Sequence, residues 1–376
     1  MAAQRRPRSR LSKILAVIAA LVSASIVVVS VAGYLFYRHL DSNISIISTE
    51  GRLGVERPQK VASVDALNLL LIGSDTRSGN NDFVGGQSAG LSDTTIVLHI
   101  SANRKWATAV SIPRDTMVQM PTCVENNGKV RAAGLRQFNE SYAIGGAPCV
   151  QTTVEHMTGI RIDHFLVVDF AGFRSMVDAI GGVKVDIPTK VDDNVGHIHF
   201  AAGCQTLNGT QSLQYVRLRH IGSGSDPDRI LRQQAFLSSV IQRVSSLGVL
   251  LDPTKLLPFL DASTKSISTD PGLGSVTQLA ALATSLKSIG LPHISFITAP
   301  WRLYPPDHNR LQLSGKATVL WNDLAHDVEA AVADNTAAGS TGPTATPTAT
   351  PTGTATASGK PAPTFKARAA SDKICS

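Results

Sequence analysis

Residues 14–37 (ILAVIAALVSASIVVVSVAGYLFY) carry no charge, and this stretch constrains the chain more than any other. At a rise of about 1.5 Å per residue, roughly 20 apolar residues cross a bilayer core. Ahead of it stand Arg5, Arg6, Arg8, Arg10 and Lys13 with no acid, which predicts an N-terminus on the cytoplasmic side and everything after residue 37 outside. Tyr34 and Tyr37 sit at the far end, where interfacial rings collect. Small residues near Ala32 would suit a cleavable leader, but the apolar stretch outruns a leader's core, so the reading is a single-pass anchor in the cell membrane. The expected layout is a basic tail at 1–13, a transmembrane helix at 14–37, a polar stalk at 38–64, an extracellular domain at 65–335 and a disordered Thr/Pro/Ala-rich tail at 336–376.

Within the domain, Leu67–Ile72 is an apolar run, broken once by Asn68 and stopped by Gly73, the pattern of a buried strand. Thr94–Ser101 and Trp106–Ile112 flank a polar turn at Asn103–Lys105 and predict a hairpin. Phe165–Phe170, Val183–Ile187 and His293–Ala299 read as further strands. Helices are expected over Phe173–Ile180, from Asp226 to about Leu247, and from Asp270 to Gly290, the last two each opened by Asp-Pro. Strands interleaved with helices, with hairpin and crossover signals together, predict an α/β fold with a mixed central sheet flanked by helices.

The net charge of +7 is modest, and no basic stripe with interleaved aromatics exists, which argues against nucleic acid as a partner. The one G-x-S-x-G match, Gly86–Gly90, follows a polar stretch rather than an apolar strand run, and no Walker loop appears, so a serine-triad hydrolase and an NTPase lack support. His197 and His199 could share a strand face, yet a metal would need more ligands. Of four cysteines, Cys123 and Cys149 bracket one loop-and-helix stretch and are the favoured pair; Cys375 falls in the expected tail, and other pairings stay open.

Five short pieces rich in Arg and Asp each lie beside an apolar run: LLIGSDTRSG (70–79), LSDTTIVLHI (91–100), AVSIPRDTMV (109–118), QYVRLRH (214–220) and SDPDRILRQQ (225–234). Arginine reads phosphate bidentately and aspartate holds hard cations, so a pocket of both outside a membrane suits a phosphorylated, lipid-linked substrate. Asp75 follows a buried strand and Asp93 opens the next one. Neighbouring antiparallel strands would bring these carboxylates together as a magnesium site; as isolated residues they would be turn formers or caps. Arg77 lies two residues beyond Asp75. Arg114 follows Ile112-Pro113 at a strand terminus with Asp115 beside it, either projecting from a rim or forming a surface pair. Arg217 and Arg219 alternate with Val216 and Leu218, which predicts an extended segment aiming both guanidinium groups to one face. Arg229, Arg232 and Gln233 occupy one face near the start of the helix opened at Asp226, where unpaired N–H groups favour an anion.

Together these pieces resemble the LytR–CpsA–Psr family of cell-wall glycopolymer ligases, actinobacterial type. The resemblance runs over residues 66–245 and includes SIPRD, FNESYAIGGAPC, TGIRIDHFLVVDFAGF with DAIGGVKVDIP, LNGTQSLQYVRLRH and DPDRILRQQ. It implies an α-β-α sandwich and a membrane-bound, Mg²⁺-dependent (or Mn²⁺-dependent) phosphotransferase. Such an enzyme moves a glycan-phosphate, such as teichoic acid, from a polyprenyl pyrophosphate carrier to peptidoglycan in cell-wall biogenesis. Carried over by position, Asp75 and Asp93 resemble the metal carboxylates, and Arg114, Arg217, Arg219, Arg229 and Gln233 the pyrophosphate binders, with Arg77 and Arg232 as additions. Arg114, Asp75 and Asp93 are the expected catalytic set. One departure stands out: Leu91 occupies a position where the family often has arginine. It keeps one alternative in view, a non-catalytic binder of polyprenyl-linked glycan; a polyprenyl pyrophosphate hydrolase, using the same pocket with water as acceptor, is a further alternative.

Overall fold

The computed structural model describes residues 10–54, 56–61, 65–74, 90–193, 198–218, 226–333 and 364–375. Among these the frame is a nine-stranded sheet of β1 (Ser45–Ile46), β2 (Leu67–Ser74), β3 (Ser92–Ile100), β4 (Ala107–Ile112), β5 (His164–Asp169), β6 (Ile267–Thr269), β7 (Ile294–Thr298), β8 (Val332–Ala333) and β9 (Phe365–Ala369). The spatial order is β1-β6-β5-β2-β3-β4-β7-β9-β8. The pairs β1/β6, β5/β2, β4/β7 and β9/β8 are parallel and the others antiparallel, so the sheet is mixed. Helices α1 (Arg10–Asn43), α2 (Glu140–Thr158), α3 (Phe170–Ala179), α4 (Gly209–Arg217), α5 (Asp226–Val244), α6 (Leu247–Leu250), α7 (Pro253–Ser266), α8 (Val276–Ile289) and α9 (Gly315–Ala325) complete the α/β architecture.

The unbroken apolar run Leu69–Ile72 within β2 follows from helices on both faces. Successive strand side chains point to opposite sides. Leu70 and Ile72 therefore join Val150 and Val154 of α2 and Leu320 and Trp321 of α9 in one core. Leu69 joins Ile96, Leu98 and Phe296 in another, packed by Leu237 and Ile241 of α5 and Leu279 and Leu286 of α8. A strand covered on both sides cannot alternate with polar residues. A third core lies off the sheet, where Val183–Ile187 pairs with Gly203–Leu207 and packs on Val177 of α3, Tyr215 of α4 and Phe236 of α5.

Several expectations need correction. The helix carrying the apolar stretch runs on to Asn43, and Lys13–Asn43 is long and apolar enough to cross a membrane, with side chains such as Val28 and Val29 exposed. Residues 38–64 are not simply a stalk, because β1 joins the sheet beside β6. Arg57 clamps the buried Glu155 through Nε at 2.9 Å and also donates to the Ile162 carbonyl at 2.7 Å, while Lys60 binds Asp163 at 2.9 Å. These cations dock the segment because a buried carboxylate requires a counter-charge. Asp270 opens only a 3-10 turn, Pro271–Leu273; α8 starts afresh after Ser275, whose hydroxyl accepts from the Gln278 N–H. The expected tail is structured at its end, where β9 inserts between β7 and β8 and Cys375 is joined to Cys204. Alternation of Phe365 inward and Lys366 outward suits a strand, a signal hidden behind the low-complexity stretch. Cys123 is joined to Cys149, with Cα atoms 5.4 Å apart.

Candidate functional site

One end of the sheet gathers the candidate residues. Strand β2 ends at Ser74, opposite Ser92 of β3 and Asp169 of β5. Strand β4 ends at Ile112, and β7 at Thr298 opposite Ser111. Open α/β sheets bind ligands beyond the carboxyl ends of such strands.

Asp93 owes its position to a bulge. Gly73 faces Thr94 and Ser74 faces Ser92, so Asp93 is an extra residue with nothing opposite it on β2. A bulge bends the strand and re-aims a side chain. The Asp93 carboxylate accepts from Arg114 Nη1 at 2.7 Å. Arg114 sits in the turn that follows Pro113, closed by Thr116, whose hydroxyl donates to the Pro113 carbonyl at 2.7 Å.

Helix α5 supplies the rest. The first helical residue, Asp226, accepts from the backbone N–H of Arg114 at 2.9 Å and lies 3.4 Å from its Nε. Asp226 also pairs with the buried Arg229, which donates as well to the Asp93 carbonyl at 3.3 Å. Asp115 lies 3.7 Å from Arg114 Nε. Two guanidinium groups, Arg114 and Arg229, thus share three carboxylates, Asp93, Asp115 and Asp226. Burial pushes the Asp226 carboxyl upward, as does Asp115, while Arg229 and Arg114 pull it back. Asp115 and Asp226 were not among the expected ligands, although both adjoin the arginines in sequence.

Arg217, Arg232 and Gln233 form a second group. Arg217 is the last residue of α4 rather than part of a strand, and its guanidinium stacks 4.9 Å from the centroid of Phe170, the residue after β5. Asn208 and Gln211 make a capping box that starts α4, and this local helix signal outweighs four residues of alternation. Arg232 donates to the Leu218 carbonyl, and Gln233 to that of Val216 at 3.3 Å. So Arg229 turns toward Asp93 while Arg232 and Gln233 turn toward the end of α4. Asp75, Arg77, Arg219 and His197 lie outside the described residues.

Among the described residues no three His, Cys, Asp or Glu side chains converge as metal ligands. Asp93 supplies hard oxygen donors of the kind Mg²⁺ takes, but one of its oxygens is engaged by Arg114.

The LytR_cpsA_psr family model matches residues 38–320, well beyond the 66–245 that the motifs span. The chain belongs to the LytR–CpsA–Psr family. It is 33% identical over 311 residues to the cell wall biosynthesis protein LcpA of Corynebacterium glutamicum, covering 75% of this chain and 59% of that one. It is 31% identical over 216 residues to a polyisoprenyl-teichoic acid–peptidoglycan teichoic acid transferase, TagU, of Enterococcus faecalis, covering 56% and 66%. The chain thus spans less than two thirds of the length of either relative. The LytR-Csp2A-Psr enzyme from Actinomyces oris shares the fold, with a TM-score of 0.57 at 20% identity, over 73% of this chain and 95% of that one.

Proposed function

We propose that this family member is a membrane-anchored phosphotransferase that moves a glycan-phosphate from a polyprenyl pyrophosphate carrier to peptidoglycan. The observation that carries the reading is the Arg114 cluster: two arginines and three aspartates at one end of the sheet, with Asp93 aimed there by a bulge. Phosphoryl transfer asks for positioning and charge stabilisation rather than a covalent nucleophile. A pyrophosphate would take guanidinium donors that carboxylates now hold, and Arg114 and Arg229 would meet the charge that grows on the bridging oxygen. The printed name of the Enterococcus relative, a transferase from a polyisoprenyl-linked polymer to peptidoglycan, supports the choice of donor and acceptor. Asp93, with Asp75, would hold Mg²⁺, which when bound neutralises phosphate charge. The Lys13–Asn43 helix would anchor the enzyme with its domain outside.

The test incubates the full chain in detergent with a polyprenyl pyrophosphate-linked sugar, Mg²⁺ and a peptidoglycan oligomer. Release of polyprenyl phosphate coupled to sugar on the oligomer is expected, and chelation should stop it. Release without the oligomer would make the protein a hydrolase. Tight binding with no release would make it a glycan-lipid binding protein, the reading that Leu91 keeps open.

A further inference from the structure

Helix α5 has a second face that the Arg114 cluster does not use. Leu231, Arg232 and Ala235 border a cavity of about 560 Å³ whose other walls are Val185–Ile187 and the C-terminal segment, through Arg368, Lys373 and Ile374. That volume lies within the range of small-molecule sites. The C-terminal wall is fixed in three ways. Strand β9 pairs with β7, Gln242 Nε2 donates to the carbonyls of Ala370 at 2.7 Å and Asp372 at 3.1 Å, and Cys375 is bonded to Cys204.

The lining has two characters. Ile187, Val191, Leu231 and Ile374 make it mainly apolar, and Arg232, Arg368 and Lys373 place positive charge in it. Arg368 Nε is buried and finds no hydrogen-bond acceptor among the described residues. An N–H group buried this way is costly unless something accepts from it. Arg232 and Arg368 converge on Tyr215: burial pushes the phenol's pKa up, and both cations pull it back. Asp186 and Asp228 also border the space, so three cations less two carboxylates leave one positive charge, suited to a small anion rather than a polyanion.

We propose that this cavity, walled by the C-terminal segment, is an accessory site for a single phosphate group carried on hydrocarbon, separate from the Arg114 cluster. The phosphate would take the guanidinium donors of Arg368 and Arg232, and the hydrocarbon would lie on the apolar wall. Such a ligand is either a prenyl phosphate or a membrane glycerophospholipid. The inference does not depend on the transfer reaction.

The test uses the full chain in detergent micelles and a geranyl phosphate bearing a terminal diazirine, with photolabelled peptides mapped by mass spectrometry. Label is expected on Val185–Val191 and Arg368–Ile374. It should fall at least about tenfold in Arg368→Glu and about threefold in Lys373→Glu, a surface change that spares the fold. An intact Cys204–Cys375 bond and an unchanged melting temperature establish folding. Label near Arg114, removed by Arg114→Ala, reports on the transferase reading alone, so the two ideas fail separately. Stronger competition by unlabelled geranyl phosphate than by phosphatidylglycerol assigns a prenyl phosphate, and stronger competition by phosphatidylglycerol assigns a phospholipid. Absence of label from both cavity peptides, label unchanged in both variants, or competition by neither lipid overturns the proposal.

Discussion

Two arginines of this domain meet buried carboxylates in opposite ways. Arg57 and Glu155 form a closed pair: one guanidinium grips both carboxylate oxygens, and the remaining bonds go to the Ile162 carbonyl and from the Ile162 N–H. Arg114 is crowded instead, with Asp93, Asp226 and Asp115 at 2.7, 3.4 and 3.7 Å, and only the first in close contact through its side chain. A saturated pair has nothing to offer a ligand and holds a segment in place. A crowded cation with stretched contacts can exchange a carboxylate for a phosphate at little cost. The number of carboxylates per arginine, rather than burial, separates the staple from the candidate site.

The sharpest way to break this contrast is Arg114→Ala. It should lower transfer by about 10³-fold, the scale of losing a charge-stabilising donor, while the melting temperature barely moves. An unfolded variant, or one of near-normal rate, would put Arg114 among the staples. Glu155→Ala should do the reverse. Leaving Arg57 without its partner should cost about 3 kcal/mol in denaturant unfolding, with the rate of the remaining folded protein unchanged. Asp115→Asn, which removes a longer contact, should change the rate by about threefold, in keeping with a pair of that kind. The smallest effect concerns pH. His164 is bonded to Asp270 at 2.9 Å, and that bond raises the imidazole's pKa above its ordinary 6.5 despite burial. Its contribution to stability is complete below 6.5 and disappears as pH rises through the raised value. His164→Gln should flatten that slope in melting curves taken from pH 6 to pH 9.

Much of this was legible in the sequence where the signal is local or where burial is two-sided. Leu69–Ile72 announces a strand covered on both faces, and Asn103–Lys105 announces the hairpin that pairs Ile100 with Ala107. The placement of Arg114 just past a strand follows from Pro113. The Asp93 bulge was hidden because it exists only in the register between two strands. Arg217 was misread because Val216 and Leu218 supply too few residues to tell a strand from a helix end, whereas Asn208 and Gln211 carried the decisive capping signal. Strand β9 escaped because its partner β7 is distant and an unpatterned stretch separates them.

The bulge in β3 has a consequence for how this end of the sheet is specified. Side chains before and after Asp93 obey opposite phases of the strand's alternation, so the carboxylate is aimed by the number of residues rather than by its neighbours' identities. Deleting Ser92 would restore an even ladder with Asp93 opposite Ser74, and so re-aim the carboxylate without changing it. A scan by substitution would never reveal this; a scan by single deletions would.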